Sequence, residues 1–358
     1  MPRSRRKWGR RYAWARLDHR ALLELRIKDL GLRIDHTWLE SCIARVLGEL
    51  ERKRLRFKPH FWLSDEWFSP AEVPGVAIPF YLAHPRLIKM ERSRMLFVEG
   101  ATVETCMQYL RHEIGHAILH AYRLNRRRRW QRTFGSSSKP YPRAYQPNPA
   151  SRRYVHHLPG WYAQSHPEED FAETFAVWLR PHSGWRRRYR DWPALKKLEY
   201  VDALMKELAA GSARKERNSR AKPYNLPSLR ITLREYYEKK RAYYQPRFTD
   251  AYDRDLRRLF DGEDGSGEPL TRSRPPSIGL TAAQFIRRNR REIRRLVARW
   301  SGGYAFTIDA VLNQMIGRCS ELKLMARGSE RQLKMDFAVL LTVHGMTYLY
   351  RKRESHAM

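Results

Sequence analysis

The segment Thr102–Leu124, TVETCMQYLRHEIGHAILHAYRL, sets apolar residues at Val103, Met107, Leu110, Ile114, Ala117, Ile118 and Ala121. That spacing traces a helical stripe and predicts a helix over the whole segment. Inside it, HExxH places His112 and His116 four residues apart, on one face and one turn from each other, so that two imidazoles can share a metal ion. Glu113 lies beside them, where its carboxylate can take a proton from a metal-held water rather than bind the metal itself. His120 extends the face by another turn, but three ligands at i, i+4 and i+8 on a straight helix diverge, so His120 is expected to pack. Cys106 falls on the buried stripe and is expected in the core.

A zinc peptidase needs a third protein ligand. The metzincin pattern HExxHxxGxxH fails, because Leu119 and Tyr122 stand where its glycine and histidine belong. The gluzincin pattern takes a glutamate from a later helix, and the segment His166–Leu179, HPEEDFAETFAVWL, supplies one. Ser165 with Glu168 reads as a capping box around Pro167, and Phe171, Phe175, Trp178 and Leu179 form a buried face. Glu169 and Glu173 are then one turn apart, so the first can ligate zinc while the second accepts the other N–H of a ligand histidine. Asp170 points about a quarter-turn away and is the weaker ligand candidate. Taken alone, the same residues read as a solvated acidic first turn facing the helix dipole. His156, His157 and His166 flank this motif as substrate contacts or rival ligands.

The pairing of HEIGH with WYAQSHPEEDFAETFAVWL resembles a zinc-binding metallopeptidase family of bacteria, whose second motif has the form HPxEDxAETxA. More distantly it is similar to the lethal-factor-like gluzincins, which share ExxAExF. The resemblance spans residues 30–210 and implies a catalytic zinc at His112, His116 and Glu169, with Glu113 as base. It also implies a role for Tyr162, which stands seven residues before Glu169, as a phenol donor to the oxyanion of a tetrahedral intermediate. The other reading of Tyr162 is a ring packed with Trp161 beside the helix. The chain departs from many bacterial relatives in lacking an N-terminal cysteine-rich zinc ribbon and in adding a basic C-terminal region.

Outward from these motifs, the sequence predicts an α+β protein: a zincin-like catalytic domain with a small antiparallel or mixed sheet, plus a helical C-terminal domain. Residues 1–20 read as a basic flexible arm, 21–212 as the metallopeptidase domain, 213–280 as a basic segment and linker, and 281–358 as the helical domain. Thr37 with Glu40 opens a helix over 38–54 that is expected to pack on a sheet. FKPHFWLSDEWF, VPGVAIPFYLAH and RLIKMERSRMLFVEG read as two or three strands, and LNRRRRWQRTFGSSSKPYPRAYQPNP as a long insertion loop. Three helices follow residue 281, the first opened by Thr281 with Gln284 and the last by Ser329 with Gln332. The tyrosines of REYYEKKRAYYQPR either stack on nucleobases or cover a helix face.

A formal charge of +33 over 358 residues suits a partner carrying phosphates, anionic lipid or acidic polypeptide, although arginine-rich codon usage produces the same composition. Cys42, Cys106 and Cys319 form neither a CxxC pair nor an even disulfide framework, and no apolar run follows the basic N-terminus, so the expected location is cytoplasmic. No stretch reaches the about 20 apolar residues of a spanning helix. The function these features predict is zinc-dependent hydrolysis of a peptide or protein substrate. A nucleic-acid-associated zinc protein, with nucleic acid or another polyanion as partner, and a catalytically silent zinc-binding module are the alternatives. The oligomeric state is not encoded in any motif.

Overall fold

The computed structural model describes residues 12–71, 73–141, 148, 150–211, 220–244, 252–260, 277–301 and 305–351. The chain forms two compact units, one of Met1–Arg94 with Val98–Lys239 and one of Met95–Phe97 with Lys240–Met358. The basic stretch after residue 212 is therefore divided: its 220–239 portion belongs to the first unit, where Ile27 N–H donates to Ile231 O and Leu233 N–H to Leu25 O.

Residues 12–20 are not an arm. Ala13–Arg16 is a 3-10 turn, and a short helix His19–Leu23 follows, capped by the Asp18 carboxylate on Ala21 N–H. Trp14 is buried and donates its indole N–H to Leu30 O at 2.9 Å, so one aromatic anchors a segment whose charge concealed it. Residues 1–11 lie outside the described set.

Helix α1, Trp38–Arg52, begins at Thr37, whose hydroxyl accepts from Leu39 N–H; Glu40 reaches back to His36 N–H, one residue before the expected partner. Its buried face of Leu39, Cys42, Val46 and Leu50 packs on the HExxH helix rather than mainly on a sheet. Strands β1, His60–Ser64, and β2, Gly75–Pro79, pair in parallel with Trp62 opposite Ala77, and Phe68 on their connection makes an antiparallel bridge to Ala77. The third expected strand is instead helix α2, Pro85–Met95, because Leu87, Met90 and Glu91 are buried at helical spacing behind an N-terminal proline.

The core of the first unit is the pairing of α3, Val103–Ala121, with α5, Pro167–Leu179. Between them, the expected loop contains helix α4, Arg128–Phe134. Trp130 and Phe134, one turn apart, both lie against Phe171, and the run of arginines before them hid that period. Helix α6, Ala194–Ala209, covers α5. Helix α7, Leu233–Tyr244, buries Tyr236 and Tyr237, and the Tyr236 hydroxyl donates to Glu66 at 3.1 Å. Those two tyrosines cover a helix face rather than offering stacking platforms.

In the second unit, β3, Ser277–Thr281, pairs antiparallel with β4, Met325–Arg327. Helix α8, Asp253–Phe260, packs with α9, Ala282–Ser301, α10, Ala305–Glu321, and α11, Glu330–Arg351, around Phe285, Ile286, Val311, Leu312 and Phe337. Thr281 and Gln284 form the reciprocal capping box: Thr281 N–H donates to the Gln284 amide oxygen and Gln284 N–H to the Thr281 hydroxyl. The fold is α+β and mostly helical, with a parallel strand pair in one unit and an antiparallel pair in the other. Among the described residues no helix is long and apolar enough to cross a membrane.

Candidate metal centre

Helix α3 is fixed at its start by Thr102 and Thr105, which cap each other's backbone N–H groups. It carries His112 and His116 into the core, where both are buried. Helix α5 starts one residue later than the sequence suggested: His166 is the cap, its Nδ1 accepting from Glu168 N–H, while the Ser165 hydroxyl donates to Tyr162 O. Glu168 is thus free of capping, and its carboxylate accepts from Asn125 Nδ2 at 2.9 Å.

The two helices converge on three atoms. His112 Nε2 and His116 Nε2 are 3.2 Å apart, and each is 3.0 Å from Glu169 Oε2. His112 donates its Nδ1–H to Glu173 Oε1 at 2.8 Å, which leaves a lone pair on Nε2, and Glu173 Oε2 accepts from Leu158 N–H at 2.8 Å. A ring nitrogen held 3.0 Å from a carboxylate oxygen calls for a positive charge between them, a proton or a metal ion. Atoms at these separations leave a point roughly 1.8 Å from each, close to zinc's usual ligand distance of about 2.0–2.2 Å, so the three residues could hold such an ion. Two neutral imidazole nitrogens and one carboxylate are also a donor set that zinc accepts.

The electrostatics agree with the geometry. Burial depresses the His112 pKa, but hydrogen bonds to Glu169 and Glu173 outweigh it and the net shift is well upward. His116 is raised in the same way, burial being overcome by Glu169. Burial pushes the Glu169 carboxyl up, yet the two imidazoles hold it well below the ordinary range. The site therefore stabilises positive charge. Glu113 is buried beside it; desolvation lifts its pKa above the usual carboxylate value, and the two histidines pull in the opposite direction. That combination gives a carboxylate more basic than one in water.

The other candidates fall into place around these five. His116, His120 and Glu168 form a second grouping of metal-ligating type, but it competes for His116, and Glu168 is already held by Asn125. His120 stacks on His116, with ring centroids 6.2 Å apart. His157 donates Nε2–H to Gln108 O, His166 donates Nε2–H to Lys139 O, and His156 lies edge-on to Trp192. Asp170 is turned to Lys197 at 2.5 Å; burial raises its pKa, against the pull of Lys197, to about 7. The ring of Tyr162 lies 5.7 Å from that of His112, carried there by a turn with positive φ at Gly160 and Trp161.

Three features of the site rest on residues that the sequence motifs leave unspecified. Tyr141 stacks on His166 with centroids 3.8 Å apart and directs its hydroxyl toward Glu168 Oε2, 3.4 Å away; burial, then the charges of Glu169 and Glu168, keep that phenol protonated. Arg111 clamps Glu49 through two bonds of 2.7 and 2.8 Å, tying α1 to the helix that bears the histidines. Gly115 lies so close to α5 that an added Cβ would stand 2.9 Å from the Ala172 Cα. The aromatic Tyr141 in a loop and the glycine inside a helix were the available signals.

No curated protein and no solved structure matches the chain. Residues 86–183, the span that holds both the HExxH motif and the acidic motif of α5, match the family model described as "Putative zinc-binding metallo-peptidase".

Proposed function

We propose that the chain is a zinc-dependent peptidase of the gluzincin type, with His112, His116 and Glu169 as ligands, Glu113 as general base, Glu173 orienting His112 and Tyr162 donating to the oxyanion. The observation that carries this reading is the convergence of two imidazole nitrogens and one carboxylate oxygen within 3.2 Å of one another, from two helices separated by more than forty residues.

Zinc held there supplies a Lewis acid that polarises the scissile carbonyl and lowers the pKa of a water. The remaining work falls to side chains. Glu113, made more basic by burial, accepts a proton from the attacking water and returns it to the leaving amine. Glu173 keeps the His112 proton on Nδ1 and so keeps Nε2 free to ligate. Tyr162, beside His112, offers a hydrogen bond to the oxygen on which negative charge develops. A peptide or protein is the substrate class this chemistry addresses.

Metal content and turnover together test the proposal. Purified protein should hold about one zinc per chain, strongly reduced by His112→Ala or Glu169→Ala. Glu113→Gln should keep that zinc and lose a factor of about 100 to 10,000 in peptide cleavage. Full zinc in both ligand variants would reject the ligand set. Undiminished cleavage by Glu113→Gln at full occupancy would reject the base, and no cleavage by the zinc-loaded wild type across a peptide library would favour a silent zinc-binding module.

A further inference from the structure

Helix α9, AAQFIRRNRREIRRLVARWS, carries two kinds of arginine. Arg290 and Arg294 turn toward α10 and share Asp309, with Arg290 Nε 2.9 Å and Arg294 Nη1 3.0 Å from Oδ1. Arg287, Arg288, Arg291, Arg295 and Arg299 are all exposed, and among the described residues no carboxylate pairs with them. At 3.6 residues per turn the five fall within an arc of about 120°. Four of them recur every fourth residue, about 6 Å apart along the axis. The helix's one acidic residue, Glu292, borders this arc and is engaged by Lys334 at 3.0 Å.

The composition of the face narrows its partner. Placing five uncompensated cations side by side on one helix disfavours folding through mutual repulsion, and an anionic partner relieves it. The opposite side of α9, with Phe285, Ile286, Ile293 and Val297, is buried in the core of its own unit. Only Leu296 and Trp300 are exposed apolar residues of the helix, both outside the arginine arc, so it lacks the continuous apolar face that an interfacial membrane helix lays into a bilayer. What remains is recognition by charge. All five cations are guanidinium groups, planar forks that take two oxygens of a phosphate at once, and a regular row of them matches a regular row of phosphates.

We propose that this arginine face of α9 binds the phosphodiester backbone of nucleic acid. The inference stands apart from the peptidase reading, because it concerns other residues and is read from binding rather than cleavage. Base sequence should matter little, since phosphate contacts fix position without reading bases.

The test is fluorescence anisotropy of the full chain with labelled 25-nucleotide single strands and duplexes of DNA and RNA, at several salt concentrations. Arg287, Arg288, Arg291, Arg295 and Arg299 are all changed to Gln, which preserves helix propensity. The control changes five other exposed arginines, Arg33, Arg52, Arg54, Arg56 and Arg128, to Gln, for the same loss of charge. Wild type should bind with an affinity that falls steeply with salt. The α9 variant should lose at least about tenfold in affinity, with a log–log salt slope shallower by about 3.5 to 4.5 as five phosphate contacts vanish. The control should stay within about threefold of wild type.

Should circular dichroism show the five-fold variant unfolded, R291E/R295E, at the centre of the arc, carries the same comparison. Equal losses in the α9 variant and the control would overturn the proposal in favour of undirected charge. Nucleic-acid binding unchanged in a folded α9 variant would also overturn it. Vesicles containing phosphatidylserine, or polyglutamate, that bind through α9 when nucleic acid does not would reassign the face to lipid or acidic protein.

Discussion

Gly115 of α3 and Ala172 of α5 meet backbone to backbone: a Cβ added at Gly115 would stand 2.9 Å from the Ala172 Cα. Such a contact requires something to shift, and the obstacle here is main chain rather than a flexible side-chain tip. Three residues before Gly115 lies His112, one residue after it His116, and three before Ala172 lies Glu169. The close approach thus sets how near the two histidines come to the carboxylate.

Gly115→Ala should gain up to about 1 kcal/mol of helix propensity. Overpacking costs about 1–3 kcal/mol and should win, so the variant should melt earlier and hold zinc more weakly. Calorimetry with zinc analysis decides this; a higher melting temperature at full zinc would show that the spacing tolerates a methyl group.

Glu173→Gln should weaken zinc binding without abolishing it. The carboxylate accepts from both His112 Nδ1–H and Leu158 N–H, whereas an amide offers one oxygen and turns donors toward the other partner. Loss of such an orienting group costs about 10–100-fold in metal affinity. A competition titration with a chromogenic chelator measures it, and an unchanged dissociation constant would remove Glu173 from the centre.

Tyr162→Phe and Tyr141→Phe should separate two roles. If Tyr162 donates to the oxyanion, its loss should reduce kcat by about 100- to 1,000-fold at constant zinc content. Tyr141, whose hydroxyl faces Glu168 and the Glu169 carboxylate, should act on zinc retention instead. Matching kinetics with metal content in both proteins checks the division; a Tyr162→Phe enzyme at wild-type rate would leave the ring as packing beside His112.

Arg111→Met should cost about 3–5 kcal/mol, because it strands the fully buried Glu49 carboxylate, to which Arg45 offers only a contact of 3.8 Å. Replacing both partners with apolar residues should recover most of that loss. Urea unfolding of the single and double variants measures the difference. Equal stability of Arg111→Met and wild type would mean that the pair is solvated.

What the sequence determined by itself is what repeats within a turn or two of helix. His112 and His116, and likewise Glu169 and Glu173, are i, i+4 pairs, and four-residue spacing places side chains together wherever the helix goes. The Thr281–Gln284 box is local in the same sense. Reading failed where local pattern was ambiguous. Leu87 and Met90 share a face only in a helix, a spacing masked by the strand-like runs before them, and Trp130 with Phe134 vanished among arginines until Phe171 gave them a surface.

Only the tertiary structure decided which distant groups meet. His116 and Glu169 lie 53 residues apart in the chain, Arg111 and Glu49 lie 62 apart, and no periodicity links them. His166 took the cap expected of Ser165, and Asp170 turned to Lys197 rather than toward the histidines. The physical reason is that a helix fixes directions about its own axis, whereas the rotation and separation of two helices are fixed by packing, here by the missing Cβ of Gly115 against Ala172.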